Sequence, residues 1–179
     1  MFKIENTAVI LIDFQVRLLP SIADHEGLET TLATFIKGCR VLDLPILAAQ
    51  QYTKGLGETT DKLKEALGDF RPIEKICFSC CDSPEFKDEL IKTGKKNIIV
   101  TGIEAHVCVQ QTVLRLLADG YAVYVLADCV GSRKALDYKY SLERMGRAGA
   151  VITTMESVLF ELLQAADHPK RKDISNLVK

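Results

Sequence analysis

The sequence lacks an excess of either charge. Its 179 residues include 23 lysines and arginines and 24 aspartates and glutamates, which leaves a formal net charge of −1. A balanced charge creates no overall field that would hold nucleic acid or an anionic membrane surface. Runs of like charge are also missing, apart from Lys170–Arg171–Lys172, which we interpret as a solvated tail. We therefore expect neither a nucleic acid nor a membrane among the partners of this protein.

Long apolar runs are absent as well. No stretch approaches the roughly 18 to 20 apolar residues that a bilayer-spanning helix needs. Residues 1–6 lack the basic segment and apolar run with which a secretory signal opens. The hydrophobic content of 47% and the charged content of 26% are those of a soluble globular protein. We expect a cytoplasmic protein with a single domain over residues 1–179.

Paired metal-ligating residues are scarce. Six cysteines are present, and Cys77–Phe78–Ser79–Cys80–Cys81 contains a CxxC motif. A structural zinc site would need a second pair of cysteines or histidines at similar spacing. The histidines are scattered, at positions 25, 106 and 168. Because a chain of this size also builds a core without disulfides, we expect no metal, no other cofactor and no disulfide framework.

Short apolar segments alternate with longer amphipathic segments along the whole chain. Thr7–Asp13 is apolar with no alternation until its last residue, which indicates a strand covered on both faces. Further strands are predicted at 45–50, 72–77, 97–102, 121–127 and 150–152. Helices are predicted at 29–42, 61–67, 107–119, 136–147 and 157–166, and one more opens at Ser83–Pro84. This alternation predicts a three-layer α/β fold in which helices cover both faces of a parallel sheet.

Polar residues follow several of the predicted strands. Asp13 ends the first strand, Lys75 lies on the third, and Cys108 follows the fourth, in the first turn of a predicted helix. Ligands of open α/β sheets bind outside the carboxyl ends of the strands, so a carboxylate, an ammonium and a thiol can meet there. A helix N-terminus and a nearby lysine favour the thiolate form of Cys108, and a thiolate attacks carbonyl carbons. The backbone N–H groups of Glu104 and Cys108 are candidates for binding the oxyanion that such an attack produces. Taken singly, Asp13 also fits a turn or cap residue, Lys75 an exposed lysine, and Cys108 a cysteine packed in the core.

Four segments, in this order, resemble the isochorismatase-like cysteine hydrolase superfamily. They are Asp13–Phe14–Gln15, Lys75 followed by Cys77–Phe78–Ser79, Gly102 to Val109, and Ala127 to Arg133. The likeness extends from Ala8 to about Ser157. It is greatest to the isochorismatase-domain-containing proteins, a subgroup whose substrates are largely unassigned. The likeness to this subgroup rests on two further segments, Gln51 to Gly57 and Asp167–His168–Pro169.

The resemblance implies both a fold and a site. It implies a six-stranded parallel sheet in the order 3-2-1-4-5-6 and a catalytic triad of Asp13, Lys75 and Cys108. It also implies a cis peptide bond between Ile103 and Glu104, with the Glu104 N–H aimed into an oxyanion hole beside the N–H of Cys108. Because such relatives are commonly dimers or larger assemblies, we expect a homo-oligomer that acts on a small-molecule substrate.

Two departures from other members of the superfamily narrow the expected chemistry. Nicotinamidases hold a divalent metal with an aspartate and two histidines beyond the second strand, whereas residues 50–55 here contain neither residue type. True isochorismatases lack the nucleophilic cysteine that this chain keeps as Cys108. The resemblance therefore implies a metal-independent cysteine hydrolase that cleaves a C–N bond through a thioester. Two further functions stay open: a binding or interaction protein of this fold with little or no catalysis, and a thiol-redox protein in which Cys108 pairs with Cys77, Cys80 or Cys81.

The expected substrate pocket is small and partly apolar, although its aromatic residues also fit ordinary core positions. The residues assigned to it are Phe14, Gln15, Leu18, Gln50, Tyr52, Phe78 and Ile103. We expect His106, two residues before Cys108, to cap the helix rather than face the pocket.

Overall fold

The computed structural model, which describes residues 2–179, contains a six-stranded sheet in which all neighbouring strands are parallel. The strands are β1 (Thr7–Ile12), β2 (Ile46–Gln51), β3 (Ile73–Lys75), β4 (Asn97–Ile103), β5 (Ala122–Gly131) and β6 (Val151–Thr153). Their order is β3-β2-β1-β4-β5-β6, which confirms the predicted order. The strand order changes direction between β1 and β4, so the carboxyl ends of these two strands lie where open α/β sheets bind ligands.

Helices cover both faces of the sheet and complete the three predicted layers. They are α1 (His25–Val41), α2 (Thr53–Leu56), α3 (Asp61–Leu67), α4 (Pro84–Lys92), α5 (Gln110–Ala118), α6 (Ala135–Arg147), α7 (Met155–Leu163) and α8 (Arg171–Leu177). Residues of α1, α3, α7 and α8 belong to one buried apolar cluster, and residues of α4, α5 and α6 belong to another. A π-helical turn at Ala105–Val109 leads into α5.

The central strand β1 lies between these two clusters. Val9 and Leu11 belong to the cluster beneath α1, whereas Ala8, Ile10 and Ile12 belong to the cluster beneath α5. All six residues of the strand are buried. Successive side chains of a strand point to opposite faces, so a strand covered on both faces has to be apolar throughout. Each fully buried Val, Leu or Ile side chain contributes about 1.5–3 kcal/mol, and β1 is therefore a rigid base for the residue that follows it.

The carboxyl end of β4 approaches β1 closely at Gly102. The φ of this glycine is +116°, and a Cβ atom at this position would overlap the carbonyl oxygen of Ile12. Only glycine tolerates both the positive φ and the close contact. The absence of a side chain therefore lets the segment after β4 lie beside the segment after β1.

Some elements end at other residues than predicted because tertiary contacts decide their limits. β5 continues to Gly131, past the predicted end at Ala127. The register of β4 and β5 shifts, and beyond the shift Val130 pairs with Gly102 and Gly131 with Ile103. This extension brings the residues after β5 to the same edge of the sheet as the residues after β4.

The basic run near the C-terminus is solvated, as interpreted, but it belongs to a docked helix. Lys170 precedes α8, Arg171 and Lys172 begin it, and Ile174 in that helix is fully buried against the cluster beneath α1. The three basic residues themselves are exposed. Ile174, together with the partly buried Leu177 and Val178, thus docks a segment whose local composition is polar. Among the described residues, no helix combines the length and the apolar character needed to cross a bilayer.

Candidate active site

The carboxyl ends of four neighbouring strands gather polar residues at one edge of the sheet. Lys75 and Gln51 are the last residues of β3 and β2, and they pair in register. Asp13 follows β1, and Glu104 follows β4. Because β3, β2, β1 and β4 are adjacent and parallel, residues that are far apart in sequence lie side by side here.

Asp13 and Lys75 form a buried ion pair. The Nζ of Lys75 donates to Oδ2 of Asp13 at 2.7 Å, and both side chains are fully excluded from solvent. Asp13 has a φ of 51°, in the left-handed region that few residues other than glycine adopt. Its second oxygen, Oδ1, is buried and accepts no hydrogen bond from an N–H or O–H group of the described residues. This oxygen is therefore available to take a proton.

Four oxygen atoms surround the Lys75 ammonium. Besides Oδ2 of Asp13, they are Oε1 of Gln51 at 2.8 Å, the carbonyl oxygen of Cys77 at 3.3 Å and that of Phe78 at 3.2 Å. An ammonium has three N–H donors, so each donor has an acceptor. Gln51 is not among the predicted site residues, because its place beside Lys75 depends on the register of β2 and β3.

Burial changes the acidity of both members of this pair. It raises the pKa of the Asp13 carboxyl, and the Lys75 ammonium offsets only part of that effect. Burial also opposes the charged form of Lys75, but Asp13 and the thiols of Cys80 and Cys108 outweigh it and raise the pKa of the lysine. Asp13 is therefore a stronger base than an exposed aspartate, and Lys75 is an ammonium at neutral pH.

Cys108 lies in the π-helical turn between β4 and α5, near the Asp13–Lys75 pair. Its thiol influences the pKa of both Asp13 and Lys75. Burial raises the pKa of the Cys108 thiol well above its usual range; Asp13 raises it further, and Lys75 opposes the rise. The turn and the one ammonium, which favour a thiolate, therefore do not offset burial beside a carboxylate. The thiol keeps its proton until a base removes it.

Glu104 follows a cis peptide bond from Ile103, as the resemblance implied. Its side chain is 11% exposed and binds Arg133, whose Nε donates to Oε1 at 2.7 Å. Arg133 lies after β5 and was not predicted as a site residue, although it ends one of the family-like segments. The guanidinium neutralises the Glu104 carboxylate, so no unpaired negative charge arises from that side chain beside the Cys108 turn.

His106 does not cap the turn, and this prediction is wrong. The turn has no side-chain cap hydrogen bond. Instead, Nδ1 of His106 lies 3.0 Å from the hydroxyl oxygen of Ser132, and Nε2 lies 4.0 Å from a carboxylate oxygen of Asp137. The imidazole thus links the turn that holds Cys108 to the segment that begins α6.

Gln15 and Gln50, both assigned to the pocket, are bonded to the chain itself. Gln15 is fully buried, and its amide bonds with the backbone N–H and carbonyl of Gln51 and with the carbonyl of Gly57. The amide of Gln50 donates to the hydroxyl of Thr59 at 2.9 Å. The amide of Gln15 thus connects the segment after β1 to the end of β2 and the segment beyond it, and the amide of Gln50 joins β2 to that same segment.

The apolar residues assigned to the pocket divide into two groups. Phe14 and Ile103 are buried in the cluster beneath α1, and Leu18 packs against that cluster. Tyr52 and Phe78 are 48% and 53% exposed, and both are hydrogen-bonded through their backbones to the lysine of the ion pair. The predicted apolar cluster is therefore split between the core and the surface.

The cysteines are all free thiols. Burial raises the pKa of the Cys80 thiol well above its usual range and is the main reason why the pKa of Cys81 rises to about 12. Within residues 2–179, no group of three or more His, Cys, Asp or Glu side chains is arranged to hold a metal ion.

Comparison with known proteins gives related sequences along the whole chain. The profile of the isochorismatase domain matches residues 7–157. Isochorismatase domain-containing protein 1 from Salmo salar is 36% identical over 175 residues, which cover 97% of this chain and 61% of that protein. The chain therefore spans less than two thirds of the length of that relative.

Solved structures with the same fold include three that cover nearly all of this chain. MAR1 ribonuclease from Caenorhabditis elegans is 38% identical with a TM-score of 0.93, and the match covers 99% of this chain and 91% of that one. YcaC from Pseudomonas aeruginosa, solved with hexane-2,5-diol and covalent acrylamide, is 26% identical with a TM-score of 0.89, covering 98% and 87%. YcaC from Escherichia coli, an octameric hydrolase of unknown specificity, is 26% identical with a TM-score of 0.89, covering 98% and 86%. With its sheet order, its site geometry and a domain match over residues 7–157, the chain belongs to the isochorismatase family.

Proposed function

We propose that this protein is a metal-independent cysteine hydrolase that cleaves the C–N bond of a small amide-like compound through a thioester on Cys108. The isochorismatase-family fold supports a hydrolase. The observation that carries the proposal is the buried Asp13–Lys75 pair, with one carboxylate oxygen unbonded and the Cys108 thiol close enough to influence both residues. A base, a cation and a nucleophile are the groups that acyl transfer to sulfur requires.

The proposed reaction begins when the Asp13 carboxylate takes the Cys108 proton as the sulfur attacks the carbonyl carbon. Lys75 stabilises the negative charge on sulfur, and the N–H groups of Glu104 and Cys108 bind the oxyanion of the tetrahedral intermediate. Protonated Asp13 gives its proton to the leaving nitrogen, the C–N bond breaks, and the thioester remains. Water, deprotonated by Asp13, then adds to the thioester. The sulfur leaves, recovers a proton, and the carboxylic acid product departs.

The acidities at the site agree with this sequence of steps. Burial raises the pKa of both Asp13 and Cys108, so the resting state holds a protonated thiol beside a basic carboxylate. The proton moves only when the attack begins, which avoids an exposed and oxidisable thiolate. Lys75 keeps its charge throughout, because its surroundings raise its pKa.

Two relatives support further parts of the proposal. Pseudomonas aeruginosa YcaC was solved with covalent acrylamide, and an electrophilic amide held covalently is what a nucleophilic site in this fold would give. Escherichia coli YcaC is octameric, and we extend self-association, as a dimer or larger homo-oligomer in the cytoplasm, to this chain. In this proposal the exposed Tyr52 and Phe78 contact a partly apolar substrate at the surface. The remaining pocket residues, which lie deeper, are Phe14, Gln15, Leu18, Gln50 and Ile103.

RNA hydrolysis is the competing function to test, because the structural relatives include the MAR1 ribonuclease from Caenorhabditis elegans. Phosphoryl chemistry relies on cations that face the phosphate oxygens. Here Lys75 is bonded to Asp13 and Arg133 to Glu104, so both cations are already engaged by carboxylates. This favours attack on a carbonyl carbon.

Neither a purely binding role nor a thiol-redox role gains support from the site. A carboxylate turned into the oxyanion position would favour a binding protein without catalysis, but Glu104 is paired with Arg133. A peroxide sensor requires a thiol of low pKa, whereas burial raises the pKa of both Cys108 and Cys80.

A screen over amides, ureides, N-carbamoyl compounds and single-stranded RNA tests the proposal. We expect turnover of a carbonyl substrate that falls at least about 10³-fold in Cys108→Ala. Cys81→Ala is the matched control, because Cys81 and Cys108 are each 6% exposed, and it should retain turnover. Mass spectrometry of the acid-quenched reaction should find the acyl group on Cys108. Full turnover in Cys108→Ala, or hydrolysis of RNA alone, would refute the proposal.

A further inference from the structure

Gln51 is held in one orientation at the end of β2. Its Nε2 donates to the carbonyl of Ile76 at 2.6 Å, so its Oε1 is the amide atom that faces the Lys75 ammonium, at 2.8 Å. Its backbone N–H donates to the amide oxygen of Gln15 at 2.7 Å, and its carbonyl accepts from the amide nitrogen of Gln15 at 3.0 Å. Every polar group of Gln51 therefore has a partner, and the amide has no freedom to turn.

Gln51 is the side chain, besides Asp13, that contacts the ammonium of Lys75. The remaining two acceptors are backbone carbonyls of Cys77 and Phe78, at the longer distances of 3.3 and 3.2 Å. A lysine on a four-carbon chain has many rotamers, and removal of one of two side-chain acceptors loosens its position.

The neutral charge of the Gln51 acceptor matters as much as its position. A carboxylate at this position would add a second negative charge to a site that already holds Asp13. It would make the site net negative and oppose the negative charge that develops on Cys108. An amide oxygen accepts the hydrogen bond and adds no charge, so Asp13 is the single negative charge that the ammonium balances in the resting site.

We propose that Gln51, itself fixed by Gln15, is a positioning residue that holds the Lys75 ammonium on Asp13 beside Cys108 without adding a second negative charge to the site. The inference rests on the proposed function insofar as Cys108 is the nucleophile. The hydrogen bond between Gln51 and the Lys75 ammonium is a property of the protein alone, so its effect is measured without a substrate.

The experiment compares Gln51→Met, which removes the acceptor, with Gln51→Glu, which keeps an acceptor and adds a charge. Gln111→Met, the same change at an exposed position of α5, is the matched control. Nitrogen-15 NMR on lysine-labelled protein follows the Lys75 ammonium, whose signal is assigned by its loss in Lys75→Met. The rate of iodoacetamide alkylation at Cys108 at one fixed pH, read by mass spectrometry, follows the thiol.

The inference makes a different prediction for each variant. In Gln51→Met, the Lys75 signal broadens or is lost to exchange with water, and alkylation of Cys108 slows about tenfold, as expected for one hydrogen bond to a charged group. In Gln51→Glu, the Lys75 signal remains, but alkylation of Cys108 at the same pH slows about tenfold, because the added negative charge opposes the thiolate. A merely structural role would let the retained acceptor of Gln51→Glu restore the wild-type rate. Gln111→Met should match the wild type in both measurements.

The results separate this inference from the proposed function. An unchanged Lys75 signal and unchanged alkylation in Gln51→Met would overturn the inference, even if Cys108→Ala abolished turnover. Loss of the Lys75 signal in Gln51→Met, in a protein that hydrolyses no carbonyl compound, would support the inference and refute the proposed reaction.

Discussion

The Nζ of Lys75 and Oδ2 of Asp13 lie 2.7 Å apart, with both side chains fully excluded from solvent. Each charge depends on the other, because a charge buried alone loses several kcal/mol of hydration without compensation. The pair is therefore a condition for the stability of the fold, and in the proposed reaction it supplies the base and the cation.

The Lys75→Met variant should be strongly destabilised at neutral pH. It leaves the Asp13 carboxylate buried without a counter-ion, which costs about 3 kcal/mol or more in the free energy of unfolding. The pKa of Asp13, already raised by burial, should rise further. The folded state then binds a proton that the unfolded state releases, so stability falls as pH rises from about 4 through the folded pKa. Urea unfolding at several pH values measures this.

The double variant Asp13→Asn with Lys75→Met is the control for this prediction. It removes both charges, so it should recover much of the lost stability and lose the pH dependence. A single Lys75→Met variant as stable at pH 7 as at pH 4 would contradict the argument.

Hydrolysis should fail in acid at a higher pH than an ordinary aspartate would cause. The Asp13 carboxyl must be ionised to accept the thiol proton, and burial raises its pKa above 3.8. As pH falls through that raised value, kcat/KM should fall with one proton bound. At the alkaline end, the raised pKa of Lys75 keeps the ammonium intact up to about pH 10. A pH profile with its acid midpoint at or below 3.8 would exclude Asp13 as the base.

The ion pair between Glu104 and Arg133 should protect catalysis from the Glu104 charge. Arg133→Ala leaves a carboxylate that is only 11% exposed near the turn of Cys108. That charge also raises the pKa of the Cys108 thiol, so we expect kcat to fall about tenfold or more. The double variant Glu104→Gln with Arg133→Ala has no such charge and should recover most of the activity. If it remains as slow as Arg133→Ala, the arginine acts in another way.

Gly102→Ala should disrupt the fold, because its Cβ would overlap the Ile12 carbonyl oxygen in the strand that leads to Asp13. Gly94→Ala is the matched control, since Gly94 also has a positive φ, of +66°, but a Cβ there would meet no atom within 4 Å. Gly94→Ala should cost about 1 kcal/mol for the backbone conformation, and Gly102→Ala should cost several times more or prevent folding. Equal shifts in the thermal unfolding temperature of the two variants would show that the close contact with the Ile12 carbonyl oxygen does not add to the cost.

Some parts of the site could be predicted from sequence and others could not. Periodicity placed Asp13 and Cys108 after strands and Lys75 on one, and the resemblance implied that the three form a triad. Gln51 escaped prediction because its hydrogen bond to Lys75 depends on the register between two strands. Arg133 escaped because the shifted pairing of β4 with β5 decides where it lies. The raised pKa of Cys108 could not be predicted, because burial is a property of the packed structure.

The sequence by itself determined the layers of the fold. A strand as apolar as β1 must be covered on both faces, and amphipathic segments between such strands must supply the cover. Only the tertiary structure decided the chemistry of the edge: which donor of Lys75 meets which oxygen, that Glu104 turns to Arg133, and that Cys108 keeps its proton. Hydrophobic periodicity is repeated over many residues and survives in the sequence, whereas a hydrogen bond or a pKa depends on a few atoms brought together across strands.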